Sequence, residues 1–224
     1  MIAEDPYTKE RARMVQEIEA EAEYTSRLTG KGSFDARVMA VMNTVARHKF
    51  VPSDTESLAY LNQPLNIGFG QTISQPYIVA LMTDLLALRK DDIVLEVGTG
   101  CGYQTAILSE LAKQVYTVEV IGDLSEQARQ RLSAMGRKNI EFRVADGYHG
   151  WSQHAPFDAI MVTAAADTIP KPLVDQLKPG GRMAIPVGTA YSGQTLTLVQ
   201  KDKAGSITKK RVLPVAFVPL TGRH

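Results

Sequence analysis

Four places in this chain of 224 residues carry side chains whose type and spacing can do chemistry. Glu96, Gly98, Gly100 and Gly102 alternate with other residues at the end of the apolar run Ile93-Val94-Leu95. A carboxylate therefore stands two places ahead of a turn in which backbone can approach a ligand closely. About twenty residues past Gly98 stands Glu119, the separation expected of a carboxylate that accepts hydrogen bonds from ribose hydroxyls. Asp146-Gly147 closes another apolar run, and its carboxylate can accept from an adenine amino group. The fourth place is Gly68-Phe69-Gly70-Gln71-Thr72-Ile73-Ser74-Gln75-Pro76, a glycine-flexed loop that delivers the Ser74 hydroxyl to the start of a helix.

The first three places read together as a nucleotide-like site, for which two cofactors compete. Dinucleotide loops want Gly-x-Gly-x-x-Gly, whose last small residue lets the helix pack close and hold pyrophosphate at its N-terminus. Tyr103 occupies that last position here. A carboxylate at Glu96 would repel pyrophosphate and suits a ligand bearing an ammonium and a sulfonium group. The pattern Glu96-x-Gly98-x-Gly100-x-Gly102 thus favours S-adenosyl-L-methionine over NAD.

The elements that must position these residues follow from periodicity. Ile93–Val97, Val115-Tyr116-Thr117-Val118-Glu119, Ile140 to Gly147, Phe157 to Thr163 and Gly180 to Gly188 read as short strands separated by helices. Such alternation implies right-handed crossovers and a mostly parallel, Rossmann-like sheet with helices on both faces. Ligands of such a sheet lie beyond the carboxyl ends of its strands, where the glycine loop, Glu119 and Asp146 fall. Thr195 to Val199 and Val212 to Val218 are joined without a helix and predict an antiparallel pair near the C-terminus. Upstream, Met14, Val15, Ile18 and Ala22 share a helical face between Thr8 and about Arg27, Asp35 caps a second helix, and Phe50 to Asn66 reads as irregular.

Composition bounds the rest. A hydrophobic content of 44% fits an α/β domain over 31–224 preceded by an amphipathic helical arm over 1–30. With 25 basic and 24 acidic residues the charge is +1, too little to hold polyanions, so nucleic acid is not an expected partner. No apolar run is long enough for a membrane span, and Met1-Ile2-Ala3-Glu4-Asp5 is not the start of a leader, so the chain is expected in the cytoplasm as a monomer or weak oligomer. The single cysteine, Cys101, reads as a small residue in a crowded loop. His48, His149, His154 and His224 lack partners at metal-ligand spacing, so no metal is expected; Trp151 reads as a packing residue.

These residues carry a resemblance. Gly70-Gln71-Thr72-Ile73-Ser74-Gln75-Pro76, Leu95-Glu96-Val97-Gly98-Thr99-Gly100, Asp146-Gly147, Ala155-Pro156-Phe157-Asp158-Ala159-Ile160 and Gln176-Leu177-Lys178-Pro179-Gly180-Gly181-Arg182 are similar to the protein-L-isoaspartate O-methyltransferases. The likeness runs from Arg47-His48-Lys49-Phe50-Val51-Pro52 to Val218-Pro219-Leu220-Thr221. It implies methyl transfer from S-adenosyl-L-methionine to the free α-carboxylate of L-isoaspartyl residues in damaged proteins and peptides, whose ester then cyclises to a succinimide. By the same matching Ser74 is the catalytic serine, Thr72 and Ile73 line the transfer site, and Thr221 approaches the cofactor.

The chemistry asks mainly for positioning, since a sulfonium activates its methyl group and a carboxylate is ionised at neutral pH. Ser74 can donate to one carboxylate oxygen and leave the other facing the methyl. Its position before Pro76 equally suits a helix N-cap. Val187 and Gly188, at a strand end, are candidates to present backbone to an extended peptide. Two rival readings remain at this level: a methyltransferase of the same sheet acting on a small molecule, and a non-catalytic module that binds the cofactor.

Overall fold

Apolar runs too short for helices and bounded by turn residues form the strands of a seven-stranded sheet in the computed structural model, which describes residues 5–222. The expectations placed on Met1 to Glu4 and on His224 lie outside these residues. The order along the chain is α1 (Thr8–Tyr24), α2 (Ser26–Thr29), α3 (Ala36–Thr44), β1 (Leu65–Gly68), β2 (Gln71–Ile73), α4 (Pro76–Leu86), β3 (Ile93–Val97) and α5 (Tyr103–Leu111). It continues with β4 (Gln114–Glu119), α6 (Gly122–Ala134), β5 (Ile140–Val144), β6 (Phe157–Val162), α7 (Lys171–Gln176), β7 (Leu177–Thr189), β8 (Gly193–Lys201) and β9 (Ile207–Val215).

Across the sheet the strands run β5-β4-β3-β6-β7-β8-β9. The pairs from β5 to β7 are parallel, and β7·β8 and β8·β9 are antiparallel, as expected of strands joined without a helix. The order reverses at β3, whose neighbours β4 and β6 are reached in opposite directions. A crevice therefore opens beyond its carboxyl end.

Side chains alternate across each strand, and two apolar clusters result. Val94 faces the cluster covered by α1, α3, α4, α5 and α6, whereas Leu95 and Val97 face the one under α7. Met14, Ile18 and Ala22 of α1 are fully buried in the first cluster, so the amphipathic arm and the sheet share one core. Asp35 caps α3 by accepting from Arg37 N–H, as its position predicted.

The segment expected to be irregular holds more order than its prolines and polar residues suggested. Arg47–Phe50 and Ser53–Leu58 form 3-10 turns, and β1 pairs antiparallel with β2 in a hairpin of its own. The reach expected to be a flexed loop is therefore a two-stranded ribbon with Phe69 at its tip in the left-handed region, at φ 54°. Among the described residues no helix is long and apolar enough to cross a membrane.

Candidate active site

A cleft opens beyond the carboxyl end of β3, where the strand order reverses. Its walls are residues 71–74 from the ribbon, 97–101 from the glycine loop, 118–121 at the end of β4, 163–164 beyond β6 and 218–221 near the C-terminus, with Val79, Tyr103, Gln104 and Gly147. Thr72, Ile73, Ser74, Gly98, Gly100, Glu119, Gly147 and Thr221 thus meet in one place, from segments far apart in the chain.

The glycine loop is built on Gly98, whose φ of 96° a side chain would rarely adopt and whose Cβ would collide with Thr163 Oγ1. That hydroxyl donates to the carbonyls of Val97 (3.1 Å) and Gly98 (2.6 Å), tying the end of β3 to the residue after β6. Glu119 is buried at the cleft wall. Its Oε2 accepts from Gly100 N–H at 2.9 Å and its Oε1 from Ile121 N–H at 3.0 Å. The carboxylate therefore holds the glycine loop and the start of the next segment while keeping a lone pair on each oxygen for a ligand.

Ser74 enters the cleft directly after β2. Helix α4 begins at Pro76 after Gln75, which makes no side-chain cap; the cap is supplied from elsewhere, by Asn62 Oδ1 accepting from Tyr77 N–H at 3.0 Å. The N-cap alternative for Ser74 is thereby replaced: among the described residues its hydroxyl has no hydrogen-bond partner, and it lines the cleft. Asn62 is held in turn by Glu21 of α1, whose carboxylate also accepts from the Gln75 side chain.

Three expected cofactor contacts stand elsewhere. Glu96 shares the face of Val94 and points beneath α5, away from the cleft, where Val97 stands instead. It is 0% exposed, and its Oε2 accepts from Thr105 and Thr117 at 2.6 Å each. Burial pushes its pKa up to about 8, so the group is a neutral acid at neutral pH and offers no charge to a sulfonium. The reason is strand parity: a residue one before Val97 must face the opposite side of the sheet. Gly102 caps α5 and packs against Ala128 and Leu132 of α6, outside the cleft wall. Asp146 caps the turn Gly147–His149 by accepting from Tyr148 N–H at 3.0 Å, and Gly222 lies against its carboxylate, so Gly147 forms the wall in its place.

Other expectations resolve by packing. Val187 and Gly188 present no free edge: Val187 pairs with Thr195, and Gly188 N–H donates to the carbonyl of Ala166 at 2.9 Å. Trp151 packs beside Tyr116 and His154, away from the cleft. His48 Nδ1 lies 2.7 Å from the Tyr60 hydroxyl and His154 stacks on Tyr116, which are packing roles. Cys101 is buried in the glycine loop, and burial raises its thiol pKa, which keeps it unreactive.

Sequence reasoning missed Thr99, whose hydroxyl lies 2.6 Å from that of Thr117 and joins the cleft wall to Glu96. It also missed Val120, Ile121 and Thr163, and gave Val218 to Leu220 no function. Backbone bonds between Ala165, Val218 and Leu220 pin that last segment over the cleft. Val120-Ile121 had a readable signal, an apolar pair directly after the acid that ends a strand; Thr163 had none.

Comparison with known proteins adds a family. The family model described as protein-L-isoaspartate(D-aspartate) O-methyltransferase matches residues 20–224. A protein-L-isoaspartate O-methyltransferase 2 of Syntrophobacter fumaroxidans is 58% identical over 99% of this chain and 90% of its own length. One of the same name from Polaromonas is 58% identical over 94% of this chain and its full length. Among solved structures, one named protein-L-isoaspartate O-methyltransferase superposes with a TM-score of 0.82 at 26% identity, covering 95% of this chain and 66% of that one. A Plasmodium falciparum structure in complex with S-adenosyl-L-homocysteine gives 0.78 over 94% of this chain and 98% of that one, and at 24% identity it speaks for the fold alone.

Proposed function

The chain belongs to the protein-L-isoaspartate O-methyltransferase family, and from that premise we propose that it methylates the free α-carboxylate of L-isoaspartyl residues in damaged proteins and peptides, using S-adenosyl-L-methionine. The observation that carries this reading is the Ser74 hydroxyl: unused by the fold, it lines the same cleft as the glycine loop and Glu119.

The residues present fit such a cofactor. Glycine-loop backbone comes close at Gly98 and Gly100, and Glu119 supplies buried acceptors suited to a ribose. Val120, Ile121, Gly147 and Leu220 add apolar lining suited to an adenine ring, and Thr221 lines the same cleft. When bound, S-adenosyl-L-methionine supplies an electrophilic methyl group that an ionised carboxylate can take without any proton transfer. This site accordingly needs no general base.

What the chain supplies is orientation and exclusion of water. Ser74 donates its hydroxyl proton to one oxygen of the acceptor carboxylate and leaves the other free to face the donor side of the cleft. Alignment of this kind is worth about 7 to 11 kcal/mol in favourable cases. Thr72 and Ile73 line the cleft beside Ser74, and the segment over 218–221 contributes to the same wall. Repair then proceeds by spontaneous cyclisation of the ester to a succinimide, which asks nothing of the protein. The reading places this work in the cytoplasm, where a lone reduced thiol such as Cys101 is stable.

The test is transfer of labelled methyl from S-adenosyl-L-methionine to an isoaspartyl peptide beside its aspartyl isomer. Label on the isoaspartyl peptide alone is expected; equal labelling of both would overturn the reading.

A further inference from the structure

Arg47 is the largest fully buried side chain among the described residues, and it reaches the main chain of Ser74. Its Nε donates to the carbonyl of Ala59 at 2.8 Å, and one terminal nitrogen donates to the carbonyl of Ser74 at 2.8 Å and more weakly to that of Gln63 at 3.4 Å. The other terminal nitrogen is buried with no partner among the described residues. The guanidinium stacks over the ring of Tyr103, its carbon 4.9 Å from the ring centre, and Tyr103 is the cleft residue that begins α5 behind the glycine loop.

Two features set this arginine apart from a packing residue. Among the described residues it makes no ion pair with a carboxylate, and the groups that favour its charged form are Tyr103, Cys101 and Tyr60. Burial pulls its pKa down, yet a guanidinium stays charged in proteins, so the positive charge is held in the interior by backbone carbonyls and the Tyr103 ring, with no counter-charge in an ion pair. A methionine of similar length would fill the space without that cost. Second, the carbonyl it grips belongs to Ser74. Fixing that oxygen sets the plane of the Ser74-Gln75 peptide, and with the Gln75 side chain held by Glu21 and Tyr77 N–H by Asn62, the Ser74 side chain is aimed without using its own hydroxyl.

We propose that Arg47 is a positioning residue for the methyl acceptor: from behind the cleft wall it clamps the main chain that aims Ser74. The inference rests on the methyl-transfer reading above. The clamp needs the planar fork, which lysine lacks and methionine cannot imitate, so two substitutions test it.

Arg47→Lys keeps the charge and loses the fork. The expected result is a fall in kcat of about tenfold or more, with the KM for an isoaspartyl peptide within about threefold and S-adenosylhomocysteine affinity unchanged. Arg47→Met removes every donor of the clamp and is expected to lower kcat at least as far, again with S-adenosylhomocysteine affinity unchanged. In a Ser74→Ala background the Arg47→Lys change should cost less than about threefold, because the group it aims is gone. Arg47→Lys with wild-type kcat overturns the inference, as does a loss that runs parallel with S-adenosylhomocysteine affinity, which is the mark of a purely structural role. If Arg47→Met does not fold, the lysine variant and its cycle with Ser74→Ala decide; if Arg47→Lys does not fold either, Arg47 serves folding alone and the inference falls. Wild-type protein assayed in parallel on both peptide isomers separates the two failures, since the activity reading falls only if wild type itself does not prefer the isoaspartyl form.

Discussion

Ser74 contributes little to the fold, because Asn62 caps α4, Arg47 holds the Ser74 carbonyl and Glu21 holds the Gln75 side chain. Its replacement should therefore separate activity from stability. Ser74→Ala is expected to lower turnover by about a hundredfold or more, on the scale of losing one donor to a reacting oxyanion, while stability stays within about 0.5 kcal/mol. Steady-state kinetics beside a thermal melt checks both, and wild-type turnover would remove Ser74 from the mechanism. Glu96 behaves oppositely, as a group whose ionisation matters to the fold. Its folded pKa near 8 lies above the ordinary 4.5, so between those values the folded chain holds a proton that the unfolded chain has released. The stability it contributes is full below about pH 4.5 and is lost as pH rises through 8. Glu96→Gln keeps the shape and removes the titration. Urea melts from pH 5 to 8 should show the variant gaining on wild type as pH rises; parallel profiles would mean the carboxyl is not held neutral.

Among the elements, the loop after β3 and the ribbon before α4 form the two jaws of the cleft. The loop depends on Gly98, where any side chain meets both a left-handed φ and the Thr163 hydroxyl. Gly98→Ala is expected to cost about 1–3 kcal/mol of stability and to weaken S-adenosylhomocysteine binding, read by melting and by calorimetric titration. Wild-type affinity in that variant would show that the loop has another way to turn. The ribbon was the less legible jaw. Leu65 to Ile73 is too short, polar and glycine-broken to show strand alternation, and its order comes from pairing across the hairpin and from what lies beneath it. The loop after β3 was legible because its signal is local: a β-branched run must stop, and glycines mark where.

For the whole molecule, the N-terminal helix is the test of where the domain ends. Met14, Ile18 and Ala22 are fully buried in the core that covers β3 and β4, and Glu21 reaches the jaw that carries Ser74. Deleting residues 1–24 should remove roughly 3–6 kcal/mol of burial from Met14 and Ile18 alone and leave a chain that denatures at lower urea, with its acceptor site impaired. Unchanged unfolding would show the arm to be an accessory. The sequence by itself determined the alternating strands and helices and the candidacy of Gly98, Gly100, Glu119 and Ser74, because each depends on period, turn chemistry or chain spacing. Only the tertiary structure decided that Glu96 turns under α5 while Val97 faces the cleft, that Gly102 and Asp146 serve the scaffold beside the site, and that Asn62, Glu21 and Arg47 hold Ser74. Those assignments depend on which face of a strand a residue shows and on contacts between segments far apart in sequence, which neither spacing nor composition encodes.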